Sequence, residues 1–194
     1  MRFLNFKQGS ESGLAIADGA GFKGLLRTDA AFPGDLQSLL AKGPEALKAA
    51  ADVLRSGQTI DLEQISYLPP LVNPGKIFCI GLNYVDHSTE SGFAVPTYPA
   101  IFSRFASSMT GHGAPIMRPK VSTQLDYEGE LVAVIGKAGR YIARETALEH
   151  VFGYSCGMDG TARDFQKRTP QWTLGKNFDA SGSLGPEIVS AGEL

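Results

Sequence analysis

Three prolines within six residues, Pro69, Pro70 and Pro74, most constrain how this chain can fold. Proline lacks a backbone N–H and has a fixed φ, so it interrupts both helix interiors and central strands. We therefore predict a linker at this segment, with a small N-terminal domain at residues 1–70 and a larger domain at residues 71–194. The 194 residues suffice for one small and one medium unit.

The N-terminal segment has the pattern of a small α/β unit. Short strands are predicted at residues 1–6 and 14–17, and the Gly- and Ser-containing stretch between them is typical of a hairpin loop. Asp35 follows a Phe-Pro-Gly turn, which favours it as the N-cap of a helix. The strongest helical pattern in the chain is PEALKAAADVLR at residues 44–55, where Pro44 suits the first helical position.

Beyond the proline-rich segment, short apolar runs alternate with turns that contain Gly or Pro. The runs predict strands at residues 76–81, 100–105, 115–117, 131–135 and 151–158. The run LVAVI at residues 131–135 is uninterrupted, which indicates a strand buried on both faces. The other predicted segments are helices at residues 83–91 and 143–150, a polar and partly helical segment at 161–168, and loops with short strands at 175–194. This pattern predicts an α+β fold that is predominantly β.

Charge and the length of the apolar runs exclude several classes of protein. The formal net charge is −2, which provides no general attraction to nucleic acid or to an anionic membrane surface. No apolar run approaches the roughly 18 residues of a membrane-spanning helix, and the first residues lack the apolar stretch of a signal peptide. We therefore expect a cytoplasmic protein with no membrane or nucleic-acid partner, in which Cys79 and Cys156 are buried free thiols.

Glu128 and Glu130 precede the LVAVI strand and, because side chains alternate along a strand, point to the same face. Two neighbouring carboxylates repel each other unless a positive charge lies between them, and a hard divalent cation suits oxygen ligands. Asp159 follows the apolar run at residues 151–158 and could supply a third carboxylate. On spacing alone, a solvated strand end is the more common meaning of E-x-E, and Asp159 could equally be a capping residue.

His87 and Glu90 lie three residues apart in GLNYVDHSTESG, and such a pair shares one face of a helix. A carboxylate beside a histidine orients the ring and stabilises the imidazolium, so the pair could act as a general base. Arg104 lies in FSRF and Lys176 in LGKNF, and a lysine with apolar residues near it that points inward could stabilise a developing negative charge. Taken singly, each of these residues, like Gln166, is more commonly found on a protein surface.

From residue 76 onward, the order of the motifs resembles the fumarylacetoacetate hydrolase family. The motifs are KIFCIGLNYVDHSTE, FSRF, LDYEGELVAVIGK, GYSCGMDGTARDFQ and LGKNFDASGSLGP. Each motif is weak by itself, but their shared order within one chain is specific. The resemblance implies a mixed β-roll catalytic domain behind a small α/β N-terminal domain, and a homodimer.

The resemblance also implies a divalent cation, Mg²⁺ or alternatively Mn²⁺ or Ca²⁺, bound by Glu128, Glu130 and Asp159. Further site residues are implied by their positions in the motifs. They are the base His87 with its partner Glu90, the enolate-stabilising Lys176, and the substrate-binding residues Arg104 and Gln166.

The substrate implied by the family is a small anionic oxo-acid. The primary hypothesis is Mg²⁺-dependent hydrolysis of a C–C bond in an acylpyruvate or related β-dicarbonyl acid, such as fumarylpyruvate or fumarylacetoacetate. The alternative is isomerase, decarboxylase or lyase chemistry on a related oxo-acid, such as 2-hydroxyhepta-2,4-diene-1,7-dioate, oxaloacetate or ureidoglycolate, because family and fold do not fix the reaction. Family members generally continue past the position of Leu194, so we expect part of the catalytic site to lie outside these residues. An inactive binding or structural fragment is therefore a third hypothesis.

Overall fold

The computed structural model describes residues 1–84 and 96–194, and strands dominate both ranges. The strands are β1 (Arg2–Gln8), β2 (Glu11–Asp18), β3 (Gly21–Leu26), β4 (Gln58–Thr59), β5 (Ser66–Tyr67), β6 (Ile77–Gly81), β7 (Ala100–Arg104), β8 (Met109–Gly111), β9 (Leu125–Asp126), β10 (Gly129–Ile135), β11 (Val151–Met158), β12 (Thr161–Ala162) and β13 (Gly182–Ser190). The helices are α1 (Leu36–Lys42), α2 (Pro44–Arg55), α3 (Arg163–Gln166) and α4 (Thr173–Lys176), with 3-10 helices at Ala106–Ser108, Arg144–His150 and Ala191–Glu193. The predicted α+β, predominantly β fold class is confirmed.

One nine-stranded sheet joins the two ends of the chain, in the order β10–β11–β13–β1–β2–β3–β4. In the same sheet β5 pairs with β1, and β8 pairs with β13 in parallel orientation. Strand β1 is the junction, since Phe3 pairs with Ile188 of β13 on one side and with Ile16 of β2 on the other. Strands from either side of the proline-rich segment therefore share one sheet, and the division into domains near residue 70 stays a prediction.

The main hydrophobic core lies between this sheet and helices α1 and α2. Phe3, Leu14 and Ile16 pack against the buried leucines and alanines of the two helices, and Val134 and Ile188 extend the cluster into the C-terminal strands. Alternate residues of β1 and β2 point to the opposite face of the sheet. There they form a second cluster that comprises Leu4, Phe6, Ala15, Phe22 and Ile60. Within the described ranges, no helix is long and apolar enough to cross a membrane.

Both helix signals in the N-terminal segment are confirmed. Helix α2 spans Pro44–Arg55, with Pro44 in its first turn and Leu47 and Leu54 on its buried face. Asp35 caps α1, because its side chain accepts a hydrogen bond from the backbone N–H of Ser38 at 2.9 Å. This hydrogen bond is the main reason that the pKa of Asp35 lies below its ordinary value.

We expect Asp35→Ala to lower the free energy of unfolding by about 1 kcal/mol at neutral pH, since it removes the cap of α1. The pKa of Asp35 is lowered in the folded chain, so its stabilising contribution is present above the ordinary pKa of about 4 and is lost as the pH falls through the folded value. The free energies of unfolding of wild type and variant, measured in urea, should therefore differ less near pH 3 than at neutral pH. A difference that grows as the pH falls would contradict the assignment.

Strand β10 contains the LVAVI run but differs from the prediction in its burial. Leu131 is 67% exposed and Ile135 is 63% exposed, whereas Val134 is buried. Alternate residues of β10 point to opposite faces, and the face that carries Leu131 and Ile135 stays largely open among the described residues. The prediction of burial on both faces is therefore wrong for this strand.

Other segments also differ from the sequence prediction. Residues 115–117 form no strand, and the backbone N–H of Met117 instead donates to the carbonyl of Ala180. The segment predicted as a helix at 143–150 is a 3-10 helix. The tail predicted as loop and short strand contains the nine-residue strand β13. The helix predicted at 83–91, with the candidates His87 and Glu90, lies outside the described residues except for its first two positions.

Candidate functional site

Lys176 lies between two carboxylates in the interior of the C-terminal half. Its Nζ donates to Oε2 of Glu128 at 2.9 Å and to Oδ2 of Asp159 at 2.7 Å, and lies 4.9 Å from the ring centroid of Phe102. Lys176 is 1% exposed and Asp159 is 7% exposed. Buried charges are costly unless they are paired, so each partner depends on the others. We call Lys176, Glu128 and Asp159 the Lys176 centre.

The pairing of β10 with β11 brings the two carboxylates together. Gly129 lies opposite Met158 in the antiparallel ladder, so Glu128 and Asp159 are the next residues beyond this pair. The N–H of Asp159 donates to the carbonyl of Glu128 at 2.8 Å, which extends the ladder by one step. Lys176 is the last residue of α4 and reaches both side chains from there.

The second oxygen of Glu128 has two further partners. Oε1 accepts from the hydroxyl of Thr161 at 2.9 Å and lies 2.6 Å from Nη1 of Arg163. Thr161 is fully buried, and its hydroxyl also lies 2.9 Å from the backbone carbonyl of Asp159. Arg163 donates to the side chain of Gln166 at 3.1 Å, so the predicted substrate residue Gln166 lies at the edge of the Lys176 centre. Sequence reasoning missed Thr161, whose only signal was its position two residues after Asp159.

We expect Thr161→Val to lower the free energy of unfolding by about 1–3 kcal/mol, because the isosteric side chain removes a donor from the partly buried carboxylate of Glu128. Thr161→Ser keeps the hydroxyl and should recover most of this loss. Urea unfolding of both variants beside wild type measures the difference. Equal stability of Thr161→Val and wild type would show that the hydroxyl does not support Glu128.

Arg104 is buried beside Asp159 and contacts protein groups with each of its nitrogens. Nη1 donates to Oδ1 of Asp159 at 2.5 Å, Nε donates to the hydroxyl of Ser108 at 3.2 Å, and Nη2 donates to the hydroxyl of Ser181 at 2.9 Å. The structure thus brings this predicted residue to the Lys176 centre, where it contacts a carboxylate of the chain. Its substrate-binding role stays a prediction.

Glu130 and Cys79 lie close to the same charges. Glu130 is half-buried on β10, two residues after Glu128. The pKa of the Cys79 thiol is raised to about 12, mainly by burial and next by the charge of Asp159, with a smaller contribution from Glu130. The charges of Glu130 and Asp159 are therefore both close enough to raise the pKa of the Cys79 thiol. Both cysteines are free as predicted, but Cys156 is exposed, so the prediction that it is buried is wrong.

The predicted three-carboxylate ligand set is only partly assembled. Among residues 1–84 and 96–194, no group of three or more His, Cys, Asp or Glu side chains has the arrangement of a metal site. Glu128 and Asp159 lie side by side and share the ammonium of Lys176, and both present oxygen atoms, the donor type that hard divalent cations prefer. The donor chemistry therefore fits such a cation, and the complete ligand set stays a prediction.

Comparison with known proteins gives the relationships of this chain. Residues 76–194 match the family model for the fumarylacetoacetate (FAA) hydrolase C-terminal region. The mitochondrial oxaloacetate tautomerase fahd2 of Xenopus laevis is 43% identical over 98% of this chain and 62% of its own length. The human mitochondrial oxaloacetate tautomerase FAHD2A is 36% identical over 98% of this chain and 63% of its own length. The fumarylacetoacetate hydrolase of the psychrophile Exiguobacterium antarcticum has a similar structure, with a TM-score of 0.81 and 34% identity over 98% of this chain and 66% of that chain.

These comparisons correct the expected location. The cytoplasmic expectation is wrong, because the similar Xenopus and human proteins are named mitochondrial. It rested on the lack of a secretory signal, which does not distinguish the remaining compartments of a cell. The chain spans 62% and 63% of the length of these two relatives. The family model matches residues 76–194, which include the Lys176 centre. The chain therefore belongs to the fumarylacetoacetate hydrolase family.

Proposed function

We propose that this chain carries the catalytic centre of a tautomerase, which interconverts the keto and enol forms of a small oxo-dicarboxylic acid of the oxaloacetate class. The observation that carries the proposal is the buried ammonium of Lys176 between two carboxylates. The names of the similar Xenopus and human relatives, both oxaloacetate tautomerases, support the substrate class. Tautomerisation thereby replaces C–C bond hydrolysis as the leading hypothesis.

Tautomerisation moves one proton from the carbon beside the carbonyl to the carbonyl oxygen. The C–H bond breaks and its electron pair forms the C=C bond, while the oxygen gains negative charge and then a proton. Lys176 suits the oxygen side of this reaction, because its N–H groups can donate to the enolate oxygen in a site shielded from water. Such a donor lowers the energy of the charged enolate more than that of the neutral ketone.

The carboxylates of the Lys176 centre suit a divalent cation, with Mg²⁺ preferred and Mn²⁺ or Ca²⁺ as alternatives. Glu128 and Asp159 would hold it, and Glu130 would be the third ligand. When bound, the cation supplies Lewis acidity toward the oxo and carboxylate oxygens of the substrate. The three carboxylates would supply the oxygen ligands, and the side chains would accept the proton from the substrate carbon and donate to the substrate oxygen.

His87 is the proposed base for the carbon side of the reaction, with Glu90 as its partner. Both residues lie outside the described ranges, so this role rests on the resemblance of their motif to the family. A neutral imidazole near pH 7 can accept a proton from an acidic carbon, and a nearby carboxylate stabilises the imidazolium that forms. The homodimer expected from the resemblance is likewise part of the proposal.

Hydrolysis of a C–C bond is the second candidate, favoured by the family description and by the name of the Exiguobacterium relative. In that reaction Lys176 would donate to the enolate that leaves when the C–C bond breaks, and water would be an additional reactant. The reactions differ in their products. Hydrolysis adds water and releases two product molecules, whereas tautomerisation converts one molecule into one isomer.

Proton NMR in D₂O with Mg²⁺ distinguishes these reactions. We expect the chain to accelerate exchange of the C3 hydrogens of oxaloacetate for deuterium without forming pyruvate faster than a protein-free sample with Mg²⁺. Faster formation of pyruvate from oxaloacetate would indicate decarboxylation, and pyruvate with a carboxylic acid from an acylpyruvate would indicate hydrolysis. Rates equal to those of a protein-free sample for every substrate would contradict an enzymatic role for this chain.

A further inference from the structure

Arg104 is a buried cation, 3% exposed, and its hydrogen bonds hold it on several sides. Besides its bond to Asp159, Nη1 donates to the carbonyl of Gly160 at 3.2 Å. The hydroxyls of Ser108 and Ser181 accept from Nε and Nη2, at 3.2 and 2.9 Å. Each nitrogen of the guanidinium thus has a protein acceptor, which fixes the plane of the group.

The carboxylate of Asp159 is consequently held from two directions. Oδ1 accepts from Arg104 at 2.5 Å, and Oδ2 accepts from Lys176 at 2.7 Å. A carboxylate with a different cationic partner on each oxygen cannot rotate about its Cβ–Cγ bond without losing both contacts. The planar, forked donors of arginine are better suited to fixing such an orientation than a single ammonium is.

The backbone at Gly182 of β13 leaves space for the Arg104 guanidinium. A Cβ atom at Gly182 would lie 2.7 Å from Nη2 of Arg104 and 2.7 Å from the carbonyl oxygen of Met158. A residue without a side chain therefore lets β13 approach the guanidinium closely. Arg104 itself is paired with Ile77 in the β6–β7 ribbon, which fixes its main chain. The guanidinium lies in a slot lined by protein atoms.

We infer that Arg104 is a positioning residue, which holds the Asp159 carboxylate in one orientation. In that orientation Oδ2 of Asp159 faces the other members of the Lys176 centre. This inference rests on the proposed function, because the role of Asp159 in holding a cation belongs to that proposal. It replaces the substrate contact expected of Arg104 from the family resemblance. A substrate carboxylate could take the place of Asp159 on the guanidinium only by leaving a buried aspartate without one of its partners, which is costly.

Arg104→Lys and Arg104→Met test the inference on the full chain. Calorimetric titration with Mg²⁺ should give an affinity lower by about tenfold or more, as is typical when a residue that orients a metal ligand is replaced. Kinetics with oxaloacetate should give a lower kcat and an unchanged KM. Arg104→Lys should recover only part of the loss, because it keeps the charge but not the forked donors. Arg2→Lys is the matched control, since Arg2 pairs with Glu187 outside the centre and its replacement should change neither quantity.

A raised KM with unchanged kcat and Mg²⁺ affinity would overturn the inference, since that is the pattern of a lost substrate contact. Ser181→Ala is a milder variant that removes one acceptor of the guanidinium without changing any charge. It should alter Mg²⁺ affinity and kcat in the same direction by a smaller factor, and no change in either would count against the inference.

If the proposed function is wrong, wild type will neither bind Mg²⁺ nor convert any substrate. A double-mutant cycle of Arg104→Met and Asp159→Asn, followed by thermal unfolding, then decides the inference separately. Strongly non-additive changes in Tm would support the fixed pairing of these two side chains, and additive changes would overturn it.

Discussion

Replacing Lys176 by Met is expected to lower the free energy of unfolding by about 3–5 kcal/mol and to slow keto–enol exchange by about a hundredfold or more. The ammonium is the shared partner of Glu128 and Asp159 and is almost completely buried. Methionine fills a similar volume but leaves these two carboxylates side by side without the cation between them. The loss of stability follows because Arg104 and Arg163 still pair with one oxygen of each carboxylate, but the oxygens that faced Lys176 lose their cation. The loss of rate follows from the missing donor to the enolate.

Urea unfolding and deuterium exchange at C3 of oxaloacetate measure the two effects separately. Lys137→Met is the matched control, because the side chains of Lys137 and its partner Glu149 are each 63% exposed and are 3.9 Å apart. Exposed ion pairs of this kind contribute about 0–1 kcal/mol, so the control should keep both stability and rate. A folded Lys176→Met chain with the wild-type exchange rate would refute the catalytic role of Lys176.

Replacing Gly160 by Ala is expected to destabilise the fold by about 3 kcal/mol or more, at the upper end of the range for overpacking. The added Cβ atom would lie well inside van der Waals contact with the backbone carbonyl oxygen of Ser181. A backbone oxygen cannot move aside as a flexible side chain can, so one of the two segments must shift. Asp159 is the preceding residue and the Ser181 hydroxyl accepts from Arg104, so the same shift would disturb the Lys176 centre.

Gly192→Ala is the matched control, since a Cβ atom there would have no neighbour within 4 Å. Its free energy of unfolding should stay within about 0.5 kcal/mol of the wild-type value. Thermal unfolding compares the two variants, and titration with Mg²⁺ reports on the centre. If Gly160→Ala unfolded at the wild-type temperature, the close approach of Gly160 to Ser181 would be wrong.

Elements with a strong local signal could be predicted from the sequence, whereas elements that depend on tertiary contacts could not. Helix α2 and strand β11 occur where helical periodicity and an apolar run predict them. Strand β13 was missed because Gly182, Gly185 and Pro186 disfavour strands locally. It nevertheless lies inside the sheet between β11 and β1, where pairing on both sides compensates for its weak propensity.

The candidate site follows the same distinction. The strand-end positions of Glu128 and Asp159 follow from the local pattern, and antiparallel pairing brings them side by side. The family resemblance placed Arg104 and Lys176 in the site, but their pairing with Asp159 could not be predicted from local pattern, because they are 55 and 17 residues away from it along the chain. The exposed face of β10 has a related cause, since apolar composition does not specify which faces of a strand other elements cover.

The pairing of β1 with β13 has a consequence for the chain while it is being synthesised. Phe3 and Ile188 lie far apart in the sequence, so the centre of the sheet can close only after Ile188 has been synthesised. Until then β1 can pair with β2, but much of its other edge presents unpaired N–H and C=O groups. The nascent chain therefore carries an open strand edge until residues 182–190 have left the ribosome. During that interval chaperone binding and aggregation compete with folding.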